Sequence, residues 1–464
     1  MAGWGKGLVG FVLGVGLCAL LAFFALQKFR DNAQLNVTVP TVQTADLQDA
    51  WAQYYAAVDE VRTNFEASPA FNIDDAHRAG AYQLLQAIMA GNMNGVIAGG
   101  DGSYPHIRLV LSPSMKLGVD NPDTFYRGAS VSNPNGEAVY RIWGNRGTAT
   151  DWLLETFYGP DPNGAIAVFE DEDLVTDADG NFEVFLSAEP MGENWMELAK
   201  DDRIILLMIR DSFTNWDTER ASTVQIERLG DAGVPSANLT EDALVQQVRD
   251  ATQILLRQGQ FWPQFSERIR LVGANNFAPW RGSGTLGILS QYFVPGFYSL
   301  EEDEALIVTM PDVEAGYCGL QLTNFWAASP DWVNRHTSLS WCNKGSQAHQ
   351  SADGSYAFIV SPRDPGVQNW IDTAGNSQGV LYFRIQSPGL ALEDVAKPQT
   401  RLVKLSELAD HLPADMPRFD AAARAEQLRK RQDHARRRYQ TWYCLLYTSP
   451  SPRDQRGSRM PSSA

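Results

Sequence analysis

Three stretches decide the fold of this chain: residues 317–326 (YCGLQLTNFW), residues 353–360 (DGSYAFIV) and residues 379–384 (GVLYFR). Apolar and polar side chains alternate along them, which is the pattern of a β-strand with one buried face. The dipeptide Asp353-Gly354 tolerates the positive φ of a tight hairpin turn. We therefore expect an antiparallel β domain in this part of the chain.

The same arrangement of turn and strand occurs twice earlier in the sequence. Asn135-Gly136 precedes residues 137–142 (EAVYRI), and Asp179-Gly180 precedes residues 181–186 (NFEVFL). A continuous apolar run at 204–209 (IILLMI) indicates a strand that is buried on both faces. We interpret the pattern as repeated hairpins and not as a sequence repeat of the solenoid type.

Helical periodicity appears outside these β regions. Apolar residues recur at spacings of three and four from Leu47 to Phe65, which predicts a helix that begins near Thr44. A second helix should start after Asp74 or Asp75, and a third should span 241–256. The stretch 261–298 is expected to be rich in loops, and the chain from Leu402 onward to be helical and basic.

We predict a mainly β protein with helical additions (α+β), built on an antiparallel β-sandwich or jelly-roll-like domain. The expected segments are a transmembrane anchor (1–30), a linker (31–43), a helical segment (44–100), a first β-rich region (101–240), a helix and aromatic loop region (241–300), a second β-rich region (301–400), a C-terminal helical segment (401–443) and a tail (444–464). Within the tail, residues 445–454 (LLYTSPSPRD) resemble the translation of a sequencing adapter. We expect this tail to be artefactual, and the true C-terminus to be missing.

The N-terminal residues indicate a membrane anchor. Residues 7–26 carry no charged side chain, and as a helix they would span about 30 Å, the thickness of a bilayer core. A cleaved signal peptide is the alternative, but the apolar run is long and no A-x-A cleavage site follows it. We expect an inner-membrane anchor with the bulk of the chain in the periplasm.

Charge excludes one class of partner. The net charge of −17 argues against a nucleic-acid-binding protein, which needs positive charge against phosphate. The C-terminal segment is nevertheless basic, with seven cationic residues: Arg424, Arg429, Lys430, Arg431, Arg436, Arg437 and Arg438. A solvated helix is favoured there over one that binds lipid or a partner, because its apolar side is thin. Docking against the acidic remainder of the chain is a third interpretation.

Two cysteines remain for the folded part of the chain, once Cys18 in the apolar run and Cys444 in the tail are set aside. Cys318 and Cys342 each lie in a predicted strand, so neighbouring strands could bring them within disulfide range. Two buried free thiols are the alternative, and the sequence leaves both open.

No motif for a metal or a cofactor is present. Aligning Gly180 with the glycine of an EF-hand loop places Val175 and Leu186 at ligand positions, so the acidic run around Asp177 is interpreted as a hairpin. The six histidines lack zinc spacing, and there is no Walker loop, nucleophile elbow or dinucleotide fingerprint. We expect no cofactor.

The order of several short blocks resembles one family. They are Asn121-Pro122-Asp123, Tyr140-Arg141-Ile142, Asn194-Trp195, Asn215-Trp216-Asp217, Ile226-Glu227-Arg228 and the stretch 317–384. Over residues 51–438, the chain resembles bacterial proteins that carry the domain of unknown function 1214. The resemblance implies a β-sandwich or jelly-roll-like domain with helical additions, and it implies no catalytic residues.

Polar residues beside aromatic ones form the candidate site. The predicted ligand-binding residues are Asn121, Tyr126, Arg141, Asn324, Trp326, Asn369, Trp370 and Arg384, which could converge at one mouth of a sandwich. Each residue could instead be structural, as a turn cap, an ion-pair partner or a core side chain. We favour binding of a small organic or carbohydrate ligand in an aromatic-lined cleft. A hydrolase or lyase that uses Asp or Glu with Arg, and an envelope protein-interaction module, are the alternatives.

Overall fold

The computed structural model describes residues 39–99, 101–158, 165–282 and 289–444. Two β-sandwiches form the bulk of these residues, and helices cover one side of them. The prediction of a mainly β, α+β protein is confirmed. None of the helices in the described ranges is long and apolar enough to cross a membrane, and the predicted anchor at 7–26 lies outside those ranges. Residues 445–464 of the predicted artefactual tail also lie outside them.

The first sandwich contains nine strands. They are β1 (Arg108–Leu109), β2 (Thr124–Asn133), β3 (Tyr140–Asn145), β4 (Asp151–Tyr158), β5 (Ala165–Glu170), β6 (Asn181–Ser187), β7 (Trp195–Glu197), β8 (Asp201–Ser212) and β9 (Thr223–Arg228). One sheet has the order β1-β2-β8-β4-β5 and the other β7-β6-β3-β9. Alternate side chains from both sheets, among them Trp152, Ile142 and Val184, fill the core between them.

The second sandwich repeats this topology strand for strand. Its strands are β10 (Asn276–Phe277), β11 (Gln291–Ser299), β12 (Glu304–Pro311), β13 (Ala315–Asn324), β14 (Ser338–Trp341), β15 (Ser355–Ser361), β16 (Trp370–Asp372), β17 (Gln378–Pro388) and β18 (Gln399–Lys404). The sheet orders are β10-β11-β17-β13-β14 and β16-β15-β12-β18. Even the parallel pair recurs, since β6 pairs with β7 as β15 pairs with β16.

Two of the predicted hairpin turns occupy equivalent places in this repeat. Gly180 precedes β6 with a φ of 80°, and Gly354 precedes β15 with a φ of 83°. A side chain at either position would strain the backbone, which explains the choice of glycine. In the second sandwich, Cys318 of β13 is disulfide-bonded to Cys342, which follows β14, across a Cα–Cα distance of 5.8 Å.

Three helices form a layer against the sheets. They are α1 (Leu47–Ala67), α2 (Asp75–Asn92) and α3 (Glu241–Arg270). The side chains of Asp46 and Asp74 cap the first two, so α1 begins slightly later than the position predicted near Thr44. The third helix runs past its predicted end at residue 256, because Phe261, Phe265 and Ile269 continue its buried stripe. The interpretation of 261–298 as loop-rich is therefore wrong over this helical part and over β11.

The C-terminal segment differs from its prediction in two ways. Residues 399–404 form β18, since they pair with β12, and the helix α4 (Ala421–Cys444) begins later. One face of this basic helix is buried: Arg431, His434 and Arg438 are each 2% exposed. The interpretation as a solvated helix is thus wrong for that face. Arg431 and Arg438 lie over the Trp216 ring at 4.3 Å and 4.9 Å, so the helix is docked through cation–π contacts.

Candidate functional site

A groove lies between the helical layer and the first sandwich. It has a volume of about 740 Å³ and is bounded by the end of α2, the π-helical turn Met93–Ile97, α3, β1, β2 and β8. Its apolar wall is aliphatic and comprises Val96, Leu109, Val110, Leu111, Met115, Leu117, Ile204, Leu206 and Ile254. This size and wall suit a small organic molecule, but apart from Tyr158 the wall is not the aromatic one that the sequence suggested.

A buried guanidinium lies in this groove. Arg108 in β1 is 8% exposed and lines the cavity. Its Nη2 donates to Ser130 Oγ at 3.1 Å and to the Gly95 carbonyl at 3.3 Å. The Gly95 carbonyl belongs to the π-helical turn that follows α2, and the negative end of a helix favours a cation.

Arg108 has no counter-charge within the part of the chain that the structure describes. Its hydrogen-bond partners are two backbone carbonyls and one hydroxyl, and no described carboxylate forms an ion pair with it. Burial lowers the pKa of its guanidinium. An arginine nevertheless keeps its proton in proteins, so the group stays cationic. The groove therefore holds a positive charge that an anionic ligand would neutralise.

The rim of the groove combines an apolar and a charged surface. Ile204 of β8 lines the groove and is 42% exposed. The neighbouring Arg203 lies 3.5 Å above the Tyr158 ring, and its Nη2 donates to Asp201 Oδ2 at 2.7 Å. These contacts fix Arg203 at the entrance, beside the exposed isoleucine.

A second polar region lies where the two sandwiches meet. In the first sandwich, Arg210 Nη2 is 3.4 Å from Glu155 Oε2. In the second, Arg384 Nε donates to Gln321 Oε1 at 3.0 Å, and its Nη2 donates to the Val119 carbonyl. Buried charges of this kind need partners, and these arginines have them.

Two acids in this region are protonated more readily than usual. Burial, reinforced by the nearby Asp171, raises the pKa of Asp151 to about 7. Burial raises the pKa of Glu155 to about 6, although Arg210 opposes the shift. Neither residue lines the groove.

Three of the eight predicted ligand-binding residues lie in this region between the sandwiches. Asn121 Nδ2 donates to the Tyr317 hydroxyl at 3.0 Å, and the Asn121 backbone N–H donates to the Tyr126 hydroxyl at 3.0 Å. The Arg384 guanidinium lies 4.6 Å above the Tyr382 ring. All three side chains are buried and bonded within the protein.

The other five residues lie elsewhere. Asn324 caps the turn after β13, where its Oδ1 accepts from the backbone N–H of Trp326 at 3.0 Å, and Trp326 Nε1 donates to the His77 carbonyl of α2 at 2.7 Å. Trp370 Nε1 donates to the Ser361 carbonyl at 3.1 Å within the second sandwich.

Asn369 bonds the backbone of the same sandwich, and Arg141 is on the outer face of the first sandwich between Glu183 and Glu227. The eight residues therefore do not share one cleft.

Sequence reasoning missed the groove residues. The available signal was a charged residue inside an apolar run, since residues 107–111 read IRLVL. A cation in such a run has to be exposed, paired or functional.

Comparisons with known proteins give one local match to a family model and one similar fold. A family model described as "Protein of unknown function (DUF1214)" matches residues 328–390, which extend from the loop between β13 and β14 to just past the end of β17. The crystal structure of an uncharacterised protein from Burkholderia cenocepacia is 27% identical, with a TM-score of 0.70, and covers 77% of this chain and 97% of its own. These findings support the resemblance to a family of unknown function, with a family match shorter than the span 51–438.

A second crystal structure, of a Vibrio parahaemolyticus protein, is 11% identical, with a TM-score of 0.41, and covers 77% of this chain and 99% of its own. That likeness is too low to carry an argument. No curated protein matches the chain.

Proposed function

We propose that this protein binds a small amphipathic organic anion in the groove between its helical layer and its first sandwich. The observation that carries the proposal is Arg108, a buried cation in a cavity of about 740 Å³ with aliphatic walls. The anionic group would accept hydrogen bonds from the guanidinium, and the apolar part would contact Leu109, Leu111 and Leu206. Charge-assisted bonds to a guanidinium are stronger than bonds between neutral groups.

The environment of the groove favours a single negative charge with an apolar body. Nine aliphatic or thioether side chains line it, so the apolar body of such a ligand would be removed from water there. The carbonyls of Gly95 and Gly99 already accept hydrogen bonds from the Arg108 guanidinium. The remaining donors suit one carboxylate or sulfonate.

A hydrolase or lyase is the second candidate. Asp250 of α3 lines the groove, and burial raises the pKa of its carboxylate while Gln246 Nε2 donates to it at 2.8 Å. A carboxylate with a raised pKa beside a cleft is a candidate acid or base. An Asp250→Asn variant that still binds a ligand but no longer converts it, when the parent does convert it, would establish an enzyme. If neither the parent nor the variant converts the bound ligand, the protein is a binding protein.

We also propose that the folded part lies outside the cytoplasm, held by an anchor at residues 7–26. The Cys318–Cys342 disulfide supports this location, because such bonds persist in oxidising compartments. Alkylation of intact cells with and without reductant tests it. We expect Cys318 and Cys342 to be protected from alkylation before reduction. Free alkylation of these two cysteines in the native protein would contradict the proposed location.

The binding proposal is tested with a matched pair of ligands, decanoate and decanol, which share their chain and differ in charge. Decanoate should raise the melting temperature in a saturable manner, because a ligand of the native state stabilises it. Arg108→Gln should lower the affinity for decanoate about 10- to 100-fold, the equivalent of one charged hydrogen bond. It should leave the affinity for decanol unchanged. Arg108→Lys should restore part of the difference.

Two further variants guard against loss of folding. Ile204→Trp narrows the rim without touching Arg108, and it should weaken both ligands. Arg141→Gln removes a cation on the distant outer face and should bind as the parent does. Equal binding of decanoate and decanol by the parent protein, or undiminished decanoate binding by a folded Arg108→Gln variant, would refute the proposal.

A further inference from the structure

A second cavity lies where α4 docks between the two sandwiches. Its volume is about 390 Å³, and its lining includes Asn215 and Trp216 from the first sandwich, His336 and Gln347 from the second, and Phe419 and Arg431 from the C-terminal segment. A cavity of about 150 Å³ already accommodates benzene, so this one can hold a ring with substituents. It is separate from the groove, because none of its lining residues is shared with it.

His336 lines this cavity and uses one of its two ring nitrogens for a bond within the protein. The residue is 4% exposed, and its Nδ1 lies 2.9 Å from the Trp370 carbonyl oxygen. Because a carbonyl can only accept, Nδ1 must carry the proton, and Nε2 therefore keeps its lone pair. Nε2 makes no hydrogen bond to any residue within the described ranges.

The surroundings keep this imidazole neutral. Burial lowers the pKa of His336 well below its usual value, and the nearby cations Arg431 and Arg424 lower it further. Nε2 is thus an acceptor throughout the neutral pH range and does not become a donor. Its ligand has to supply an O–H or N–H group.

The neighbouring cation is already satisfied. Arg431 Nε donates to the Trp332 carbonyl at 2.6 Å, its Nη2 donates to Ser338 Oγ at 2.5 Å, and its Nη1 donates to Gln347 Oε1 at 3.1 Å. Like Arg108, Arg431 bonds carbonyls and a hydroxyl without an ion pair, but the Asp123 carboxylate lies near enough to act on its charge, whereas no described charged group does so for Arg108.

The mouth of the cavity is also balanced in charge. Lys430 pairs with Asp217 at 2.7 Å, and Glu426 pairs with Arg429 at 2.5 Å. These pairs neutralise the charges at the mouth. The polar and apolar lining together suit a neutral molecule.

We propose that this cavity is a second binding site, which takes a neutral, ring-sized molecule whose hydroxyl or amide N–H donates to His336 Nε2. The ring would contact the apolar surface of Phe419 and Trp216. The site differs from the groove in ligand class, since the groove takes an anion and this cavity a neutral hydrogen-bond donor.

The test uses fragment pairs that differ by one donor: phenol with anisole, and benzamide with methyl benzoate. Ligand-observed NMR on the full-length protein gives the affinities, and the ¹⁵N resonance of His336 Nε2 reports the hydrogen bond directly. We expect phenol and benzamide to bind at least 5-fold more tightly than their partners and to shift the Nε2 resonance. Benzoate should bind no better than anisole.

Two variants locate the site. His336→Asn can keep the donor to the Trp370 carbonyl but lacks the acceptor at Nε2, so it should melt near the parent temperature and lose the preference for phenol. His411→Asn changes an exposed histidine in the segment after β18 and should keep the preference for phenol. The proposal is overturned if no fragment binds, if anisole equals phenol, if His336→Asn retains the preference, or if Nε2 is protonated at pH 7.

Discussion

The two sandwiches share one strand order but carry opposite chemistry on their outer sheets. Arg141 of β3 is 38% exposed and forms ion pairs with Glu183 and Glu227. The equivalent residue of β12, Ile307, is 4% exposed and packs with Leu408 and Met416 from the segment after β18. One topology therefore supports either a solvated or a covered sheet, and the residues at alternate positions decide between them.

Other positions are the same in both sandwiches. Asn194 Nδ2 donates to the carbonyls of Val175 at 2.8 Å and Glu183 at 3.0 Å, and its Oδ1 accepts from the Val175 N–H at 2.8 Å. Asn369 makes the same three bonds to His349 and Ala357, at 2.8, 3.0 and 2.7 Å. Both sandwiches therefore use an asparagine amide to join a loop to a strand, whereas the residues on their outer faces differ.

The largest expected effect on stability comes from placing a charge on the covered sheet face of the second sandwich. Ile307→Arg would place a charge among the apolar side chains of the segment that contains Leu408 and Met416. We expect a loss of about 4 kcal/mol or more of unfolding free energy, or failure to fold. Urea unfolding measures it, with Ile307→Val as the control at about 1 kcal/mol. A loss below that of the valine variant would show that the face is not covered in solution.

The shared asparagines should respond alike. Asn369→Ala and Asn194→Ala each leave three backbone groups without a partner, which should cost about 3 kcal/mol apiece. Urea midpoints of the two variants give the comparison. A cost at one position several times that at the other would contradict their equivalence.

The interface between the sandwiches should make stability depend on pH. The folded-state pKa of Asp151, about 7, exceeds its ordinary 3.8, so the native state binds a proton that the unfolded state releases. This contribution is complete below pH 4 and is lost as the pH rises to about 7. Asp151→Asn should therefore lose less stability between pH 5 and pH 8 than the parent does.

Glu155→Gln should have the same effect on a smaller scale, since its pKa is about 6. Urea unfolding at both pH values measures the difference. An Asp151→Asn variant whose stability falls as steeply as that of the parent would place the titration elsewhere.

The smallest effect is expected on the solvated face. Arg141→Ile introduces into the first sandwich the residue type found at the equivalent position of the second. The change should cost little stability, because exposed ion pairs contribute little to it. The urea midpoint should stay within experimental error of the parent value. Aggregation at high concentration is the more sensitive readout, because the change enlarges an exposed apolar area. A large fall in the midpoint would mean that this face is covered too.

The sequence indicated the strands and turns but not their duplication. Asp179-Gly180 and Asp353-Gly354 were visible as hairpin turns, because a positive φ leaves a local mark on residue choice. Their equivalence depends on pairing between distant strands, which local patterns do not encode. Outer residues such as Arg141 and Ile307 follow their own surroundings, so the two halves look unrelated in sequence.

The candidate site was less accessible to sequence reasoning. Aromatic and amide residues such as Trp326 and Asn369 have the composition of a ligand site, yet the structure uses both for internal hydrogen bonds. Arg108 gave only a charged residue in an apolar run. Its cavity is assembled from α2, α3 and four strands that lie far apart in sequence.

The most direct test of the central claim is a crystal structure of the protein with decanoate. We predict a carboxylate within about 3 Å of the Arg108 guanidinium and an alkyl chain along Leu109, Leu111 and Leu206. A groove that stays empty at saturating decanoate, or a chain bound with its carboxylate in solvent and Arg108 uncontacted, would contradict the account.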